Sequence, residues 1–435
     1  MAGVIRDESG LFAVGGHARA VAITIDALHA ARRRGANSVG LATNDGLSVR
    51  AIRGEGDPSD ALADATLRGL AGSQTIGVVS HADPEGPFVG RVRGAWLGLV
   101  TVGRLTNAVR LAREQDERGA VTTTGSDAEV IAHLVGQSTQ RTPVNRLVDA
   151  LWKVEGAFAI VALTDDRLIA VRDPRGIRPL LYGRLEGAAL FATEAGSITA
   201  VGGEVVREVE PGEMLIVDTS GARSVAPFPR RPRSVCSREV ATLARADARA
   251  GGHSVHAVRE KLGERLGDDA PCSADVVIPL DDAAVAAGYA RARNLVSQPG
   301  LIRDHGPIVA IAAVCAGSRI VIVSAAASPD PLRDAVAAVR RAGAREVHVR
   351  VATPAVRFGC AYGYGGPTGD ESAEAQSAAW ASDLGADSVA LQTLDALREV
   401  LGSFGGGFCD ACSSGDWPVA PEIDGQLALF GAKPA

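Results

Sequence analysis

Hydrophobic and polar positions change their rhythm near residue 230. Before that point, short alternating or β-rich runs at residues 38–41, 77–80, 157–163, 168–171 and 212–217 predict strands. Two helical stretches separate them. One covers residues 18–34, with a basic last turn ahead of Gly35 as its expected C-terminal cap, and the other runs from about 127 to 140. Beyond residue 233 the pattern becomes strand, helix, strand, at 274–280, 283–292, 319–323, 334–342 and 346–351. Unbroken apolar strands such as Val276-Val277-Ile278 and Ile320-Val321-Ile322-Val323 require cover on both faces, which predicts a doubly wound α/β domain with a parallel sheet. Ligands in such folds sit at the carboxyl ends of the strands, so chemistry is sought just after Leu280, Val323 and Val351. A Pro/Arg-rich stretch at 226–233 cannot sustain a helix or strand and reads as a linker, giving domains at 1–225 and 226–435.

A chain of 435 residues exceeds what one core usually supports, in keeping with two domains. The composition, 46% hydrophobic and 22% charged with no uncharged apolar run of about 18 residues, excludes disorder, collagen-like sequence and a membrane-spanning helix. A net charge of −6 gives no reason to expect nucleic-acid or membrane-surface binding. The basic runs at 32–34 and 230–233 are short and read as a helix end and a linker. Acidic residues follow Met1 where a secretory signal needs a basic start, so a cytoplasmic location is expected. Six cysteines over this length are too sparse for a disulfide framework, which leaves metal ligation to be tested.

Several strings resemble one family. They are residues 34–40, Leu105-Thr106-Asn107, Ser126-Asp127-Ala128-Glu129-Val130, Arg172-Asp173-Pro174-Arg175-Gly176-Ile177-Arg178-Pro179-Leu180, residues 209–213, residues 341–350 and Phe408-Cys409-Asp410-Ala411-Cys412. The chain is identified by them as similar to amidophosphoribosyltransferases, over nearly its whole length. The resemblance implies an α+β N-terminal-nucleophile-hydrolase-like αββα sandwich, a type-2 glutamine amidotransferase domain, followed by an α/β phosphoribosyltransferase-like domain. The family's role is the first committed step of purine synthesis, from PRPP and glutamine to phosphoribosylamine.

The residues that would perform this reaction are missing. The family's glutaminase uses an N-terminal cysteine whose thiolate attacks the amide. Ala2 stands at that position, and no cysteine precedes Cys236. Where the resemblance implies an arginine for the substrate carboxylate, Ser80 stands before His81; where it implies an oxyanion-binding Asn, Val102 offers no donor. Loss of such a donor typically costs about 10²–10³ in rate. Gly103 and Asp127 remain and read first as a tight turn and a helix cap. In the second half, the acidic pair and amide-rich loop of a PRPP site are replaced by Ser324, Ala325, Ala326, Ala327, Ser328, Pro329 and Asp330. Prolines lack the N–H donors a phosphate needs, and Asp330 would repel it. The basic lid is shortened to residues 301–307. Asp281 and Asp282 could hold a ribose or Mg²⁺, but a helix N-cap with an exposed neighbouring acid is the plainer reading, and Mg²⁺ is not expected.

Four thiols survive. Cys236, Cys360, Cys409 and Cys412 fall where the iron-sulfur branch of the family places its [4Fe–4S] ligands, so the resemblance implies a retained cluster. A Cys₄ zinc site is the alternative. Cys272 and Cys315 read as small buried hydrophobes. The expectation is an inactive relative that keeps its cluster for a structural, regulatory or redox-sensing role. Its expected partners are its own copies, another protein, or a nucleotide. The competing reading is an active family enzyme, or one of altered chemistry built on His81, Asp127, Asp281 and Asp282.

Overall fold

The computed structural model describes residues 9–35, 37–62, 70–81, 86–303, 307–363 and 373–422. These divide into two units. The first holds 9–235, 361–363 and 417–422, and the second holds 236–360 and 373–416.

In the first unit, two antiparallel sheets face each other. A seven-stranded sheet runs in the order Glu204–Glu208, Leu181–Leu185, Ala188–Ala192, Ser9–Gly15, Gln74–Ser80, Ser38–Asn44, Val49–Glu55. The six-stranded sheet runs Gly221–Val225, Met214–Asp218, Leu168–Arg172, Gly156–Thr164, Ala95–Leu105, Phe88–Val92. Strand Gly156–Thr164 is buried along its whole length because its alternation serves two cores. Ala159, Val161 and Leu163 join Leu11, Ile76 and Val102 between the sheets. Phe158, Ile160 and Ala162 point the other way, into Leu111, Ile131 and Leu147 of the helices Ala108–Asp116, Asp127–Gln137 and Pro143–Leu151. Helix Ala20–Ala30 covers the outer face of the larger sheet through Ile23, Ala27 and Leu28. The layers are therefore αββα, the sandwich implied by the resemblance.

Two local expectations fail here. The first helix stops at Ala30, a short 3₁₀ turn takes Arg32–Arg34, and Gly35 is extended rather than a left-handed cap. Glycine is needed there for a different reason, since a Cβ would lie 2.5 Å from the Ser80 backbone. The second helix ends at Gln137, because Ser138 turns extended and Thr142 starts a new helix with Pro143 in its first turn.

The second unit contains a five-stranded, fully parallel sheet in the order Val296–Ser297, Val276–Pro279, Arg319–Ser324, Glu346–Val351, Ser388–Leu391. Helices Ala283–Arg293, Pro329–Arg341, Ala373–Leu384 and Leu394–Ser403 alternate with the strands. A further helix, Val255–Asp269, packs against Ala283–Arg293 at backbone distance: a Cβ on Gly263 or Gly288 would sit 2.0 Å from a carbonyl oxygen of the facing helix. The chain leaves strand Val276–Pro279 toward one edge and returns on its other side as Arg319–Ser324. Those two strand ends form the switch point where open α/β sheets bind ligands. No described helix is long and apolar enough to cross a membrane.

Candidate functional site

At this switch point the structure brings Asp281 directly against Ser324 and Ala325. Asp281 Oδ1 accepts from the Ala325 amide at 2.8 Å, while Oδ2 accepts from Ser324 Oγ at 2.8 Å and from the Ala326 amide at 3.2 Å. Burial raises the Asp281 pKa, and these bonds oppose the rise. Its neighbour does something else. Asp282 caps helix Ala283–Arg293, accepting from the amides of Ala284 and Val285, and pairs with buried Arg259 at 2.7 Å. Arg259 is anchored in turn on the carbonyls of Val240 and Ala244. Pro329 and Asp330 form the first turn of the next helix, where Asp330 pairs with Arg333. Residues 304–306 of the shortened lid, like Ala2, lie outside the described residues.

The glutaminase-like positions stand on adjacent layers of the first unit. Ser80 ends its strand with no exposed surface, and Val102 belongs to the core between the sheets. Gly103 is not in a turn. It lies within strand Ala95–Leu105 at φ +101°, opposite Phe158, and a Cβ would meet the Ala157 carbonyl at 2.1 Å. Asp127 is not the helix cap either: Ser126 fills that role, its Oγ accepting from the Glu129 amide. Asp127 is the first helical residue, and its Oδ2 accepts from the Leu105 amide at 2.7 Å, fixing the helix to the strand that carries Gly103. His81 accepts a hydrogen bond at its carbonyl from Asn37.

The family string around Asp173 is a folding device. Asp173 is wholly buried and accepts from the amides of Arg175, Ile177 and Arg178, while Arg172 donates to the carbonyls of Gly176, Arg178 and Val209. Arg178 reaches on to the Tyr362 carbonyl.

All four cysteines of interest belong to the second unit. Cys236, Cys409 and Cys412 are buried and Cys360 half-buried. They lie within one another's electrostatic reach. Burial and then the neighbouring Cys360 push Cys236 up to about 11, burial and Cys236 raise Cys409, and a hydrogen bond with Cys360 together with burial raises Cys412. Thiols that resist ionisation, as Cys236, Cys409 and Cys412 do, become good ligands only when a metal supplies compensating charge. Among the described residues, no three His, Cys, Asp or Glu side chains are already gathered closely enough to hold a metal ion. The donor set fits a thiolate-bound group in kind. Arg238, missed in the sequence although it follows Cys236 by two positions, lies 4.0 Å from Cys412 Sγ. Cys315 is buried in the sheet core, and half-buried Cys272 lies 3.5 Å from Tyr289 Oη.

Comparison with known proteins agrees with this layout. Residues 77–200 match the glutamine amidotransferase domain family. The chain is 32% identical to amidophosphoribosyltransferase 2, chloroplastic, of Arabidopsis thaliana, over 96% of this chain and 81% of that protein. It is 30% identical to the amidophosphoribosyltransferase of Bacillus subtilis, over 95% of each. The structure of glutamine PRPP amidotransferase from B. subtilis complexed with ADP and GMP superimposes with a TM-score of 0.88 at 29% identity, covering 95% of this chain and 98% of that one. With both units, their order and the motifs all in common, this chain belongs to the amidophosphoribosyltransferase family.

Proposed function

We propose that this family member catalyses neither half of the amidophosphoribosyltransferase reaction and acts by binding, with Cys236, Cys360, Cys409 and Cys412 holding a [4Fe–4S] cluster. The observation that carries the reading is the Asp281 carboxylate seated on the Ala325 and Ala326 amides. A phosphate would need those donors free, and a fixed negative charge at their centre repels a pyrophosphate ester. The glutaminase half lacks its partners as well, since buried Ser80 carries no charge and Val102 no donor. A thiolate-bound cluster supplies electron-transfer and oxygen-reactive chemistry when present. Here the protein would contribute the thiols of Cys236, Cys360, Cys409 and Cys412, with the Arg238 guanidinium beside Cys412. Such a protein works in the cytoplasm as a homo-oligomer or beside another protein.

Anaerobically purified protein is expected to contain about four irons and four acid-labile sulfides per chain, with Cys409→Ser lowering both. Zinc, or no metal, overturns the cluster assignment. PRPP-dependent glutamine consumption above background overturns the inactivity, whatever the metal content.

A further inference from the structure

We propose a binding site for a small phosphate-bearing anion in the first unit, at the opposite end of helix Asp127–Gln137 from Asp127. A cleft of about 400 Å³ opens there, walled by Phe88, Arg91, Arg93, Arg118, His133 and Gln137. Among the described residues no carboxylate lines it. Among the described residues the three guanidiniums make only neutral contacts. Arg91 donates to the Gly94 carbonyl and lies over the Trp96 ring, Arg93 donates to the Gly136 carbonyl at 3.0 Å, and Arg118 donates to Gln137 Oε1 at 3.1 Å. Elsewhere in this acidic chain, arginines such as Arg265, Arg291, Arg319 and Arg333 are paired with carboxylates, while single arginines such as Arg146 and Arg249 rest on carbonyls, and the cleft differs in bringing three of the neutral kind together. The acid nearest His133 is Glu129, 3.8 Å from Nε2, but it is committed to the 123–125 loop.

A structural reading would have the arginines offset the negative end of the helix. Only Arg93 touches a terminal carbonyl, and a helix end presents roughly half a charge against three guanidiniums. The excess matches a phosphoryl group, whose oxygens take the paired N–H donors of arginine better than a single carboxylate would use three of them. The volume is that of a small-ligand pocket, and half-buried Phe88 gives it one apolar wall. The ligand is thus either a free phosphoanion or the phosphate end of a nucleotide. This site is separate from the two catalytic positions discussed above and does not depend on whether they are active.

The test is calorimetric titration of the full chain with pyrophosphate and, separately, with uridine 5′-diphosphate. The charge reversal Arg91→Glu/Arg118→Glu should weaken pyrophosphate binding by about tenfold or more, while Arg333→Gln leaves it unchanged. If the reversal lowers the melting temperature without ligand, the milder Arg118→Gln decides by the same criterion, at a smaller loss. Tighter binding of uridine 5′-diphosphate identifies a nucleotide as the source, and equal binding identifies the phosphate group alone. Affinity unaltered in the arginine variants, or no binding tighter than about 1 mM in the unmodified protein, overturns the proposal.

Discussion

Each unit holds a loop by wrapping its amides around one carboxylate, yet the two carboxylates are driven in opposite directions. In the first unit, Glu129 accepts from the amides of Thr123, Thr124 and Gly125 and from both threonine hydroxyls. Burial alone would raise its pKa, but these bonds outweigh burial and hold it at about 2. Asp281 in the second unit has three donors, and there burial wins and raises the pKa. The lesson is quantitative. Five donors hold the buried Glu129 carboxylate as the ion, whereas three donors on Asp281, which keeps exposed surface, do not offset the desolvation of its carboxyl. A loop collar is thus a strong device in one unit and a compromise in the other.

The sharpest way to break that comparison is to neutralise each acid. Glu129→Gln keeps the shape but removes an ionised acceptor that the fold favours, and is expected to cost about 3 kcal/mol at pH 7. Asp281→Asn loses fewer contacts, at a residue that keeps exposed surface where solvent screens the charge, so about 1 kcal/mol is expected. Equilibrium denaturation of both variants measures the difference; equal losses would show that donor number does not set the balance. Acid titration sharpens the same point with a smaller effect. Because the folded pKa of Glu129 lies below its ordinary 4.5, its contribution is complete above about pH 5 and drains away between 4.5 and 2. Asp281 runs the other way: its folded pKa lies above the ordinary 3.8, so stability from this group falls as pH rises from about 3.8 through the folded pKa. Glu129→Gln should therefore flatten the loss of stability below pH 4.5, while Asp281→Asn should steepen the loss as pH falls through the folded pKa of Asp281 toward 3.8.

How much of this was legible in the sequence differs between the same two regions. Period-2 alternation and unbroken apolar runs marked most of the strands that carry the site, and strand Glu346–Val351 has the predicted limits. Helix Val255–Asp269 was hidden because Gly263 and Gly267 weaken a helical signal, although its contact with the facing helix is what demands those glycines. Position 281 carried too little information. A lone Asp at a strand end predicts a cap or a ligand, but only the parallel pairing of Val276–Pro279 with Arg319–Ser324 brings it to the Ala325 amide, 44 residues away. Gly103 and Asp127 read in the sequence as a tight turn and a helix cap, and the structure gives them other local roles, since a mid-strand positive φ and a strand-to-helix hydrogen bond leave no pattern in neighbouring residues.

The smallest effect concerns the cap beside the stronger collar. Ser126 Oγ accepts from the Glu129 amide at 3.2 Å, so the residue whose side chain gathers the loop also has its backbone held by the cap. Ser126→Ala removes that acceptor and is expected to cost about 1 kcal/mol. If cap and collar cooperate, the loss in the Ser126→Ala/Glu129→Gln double variant should be less than the sum of the single losses, since a loop already released by Glu129→Gln has little left for the cap to hold. Strict additivity in denaturation would instead mean that the cap stabilises only the first turn of helix Asp127–Gln137 and that the five donors to Glu129 restrain the loop independently of it.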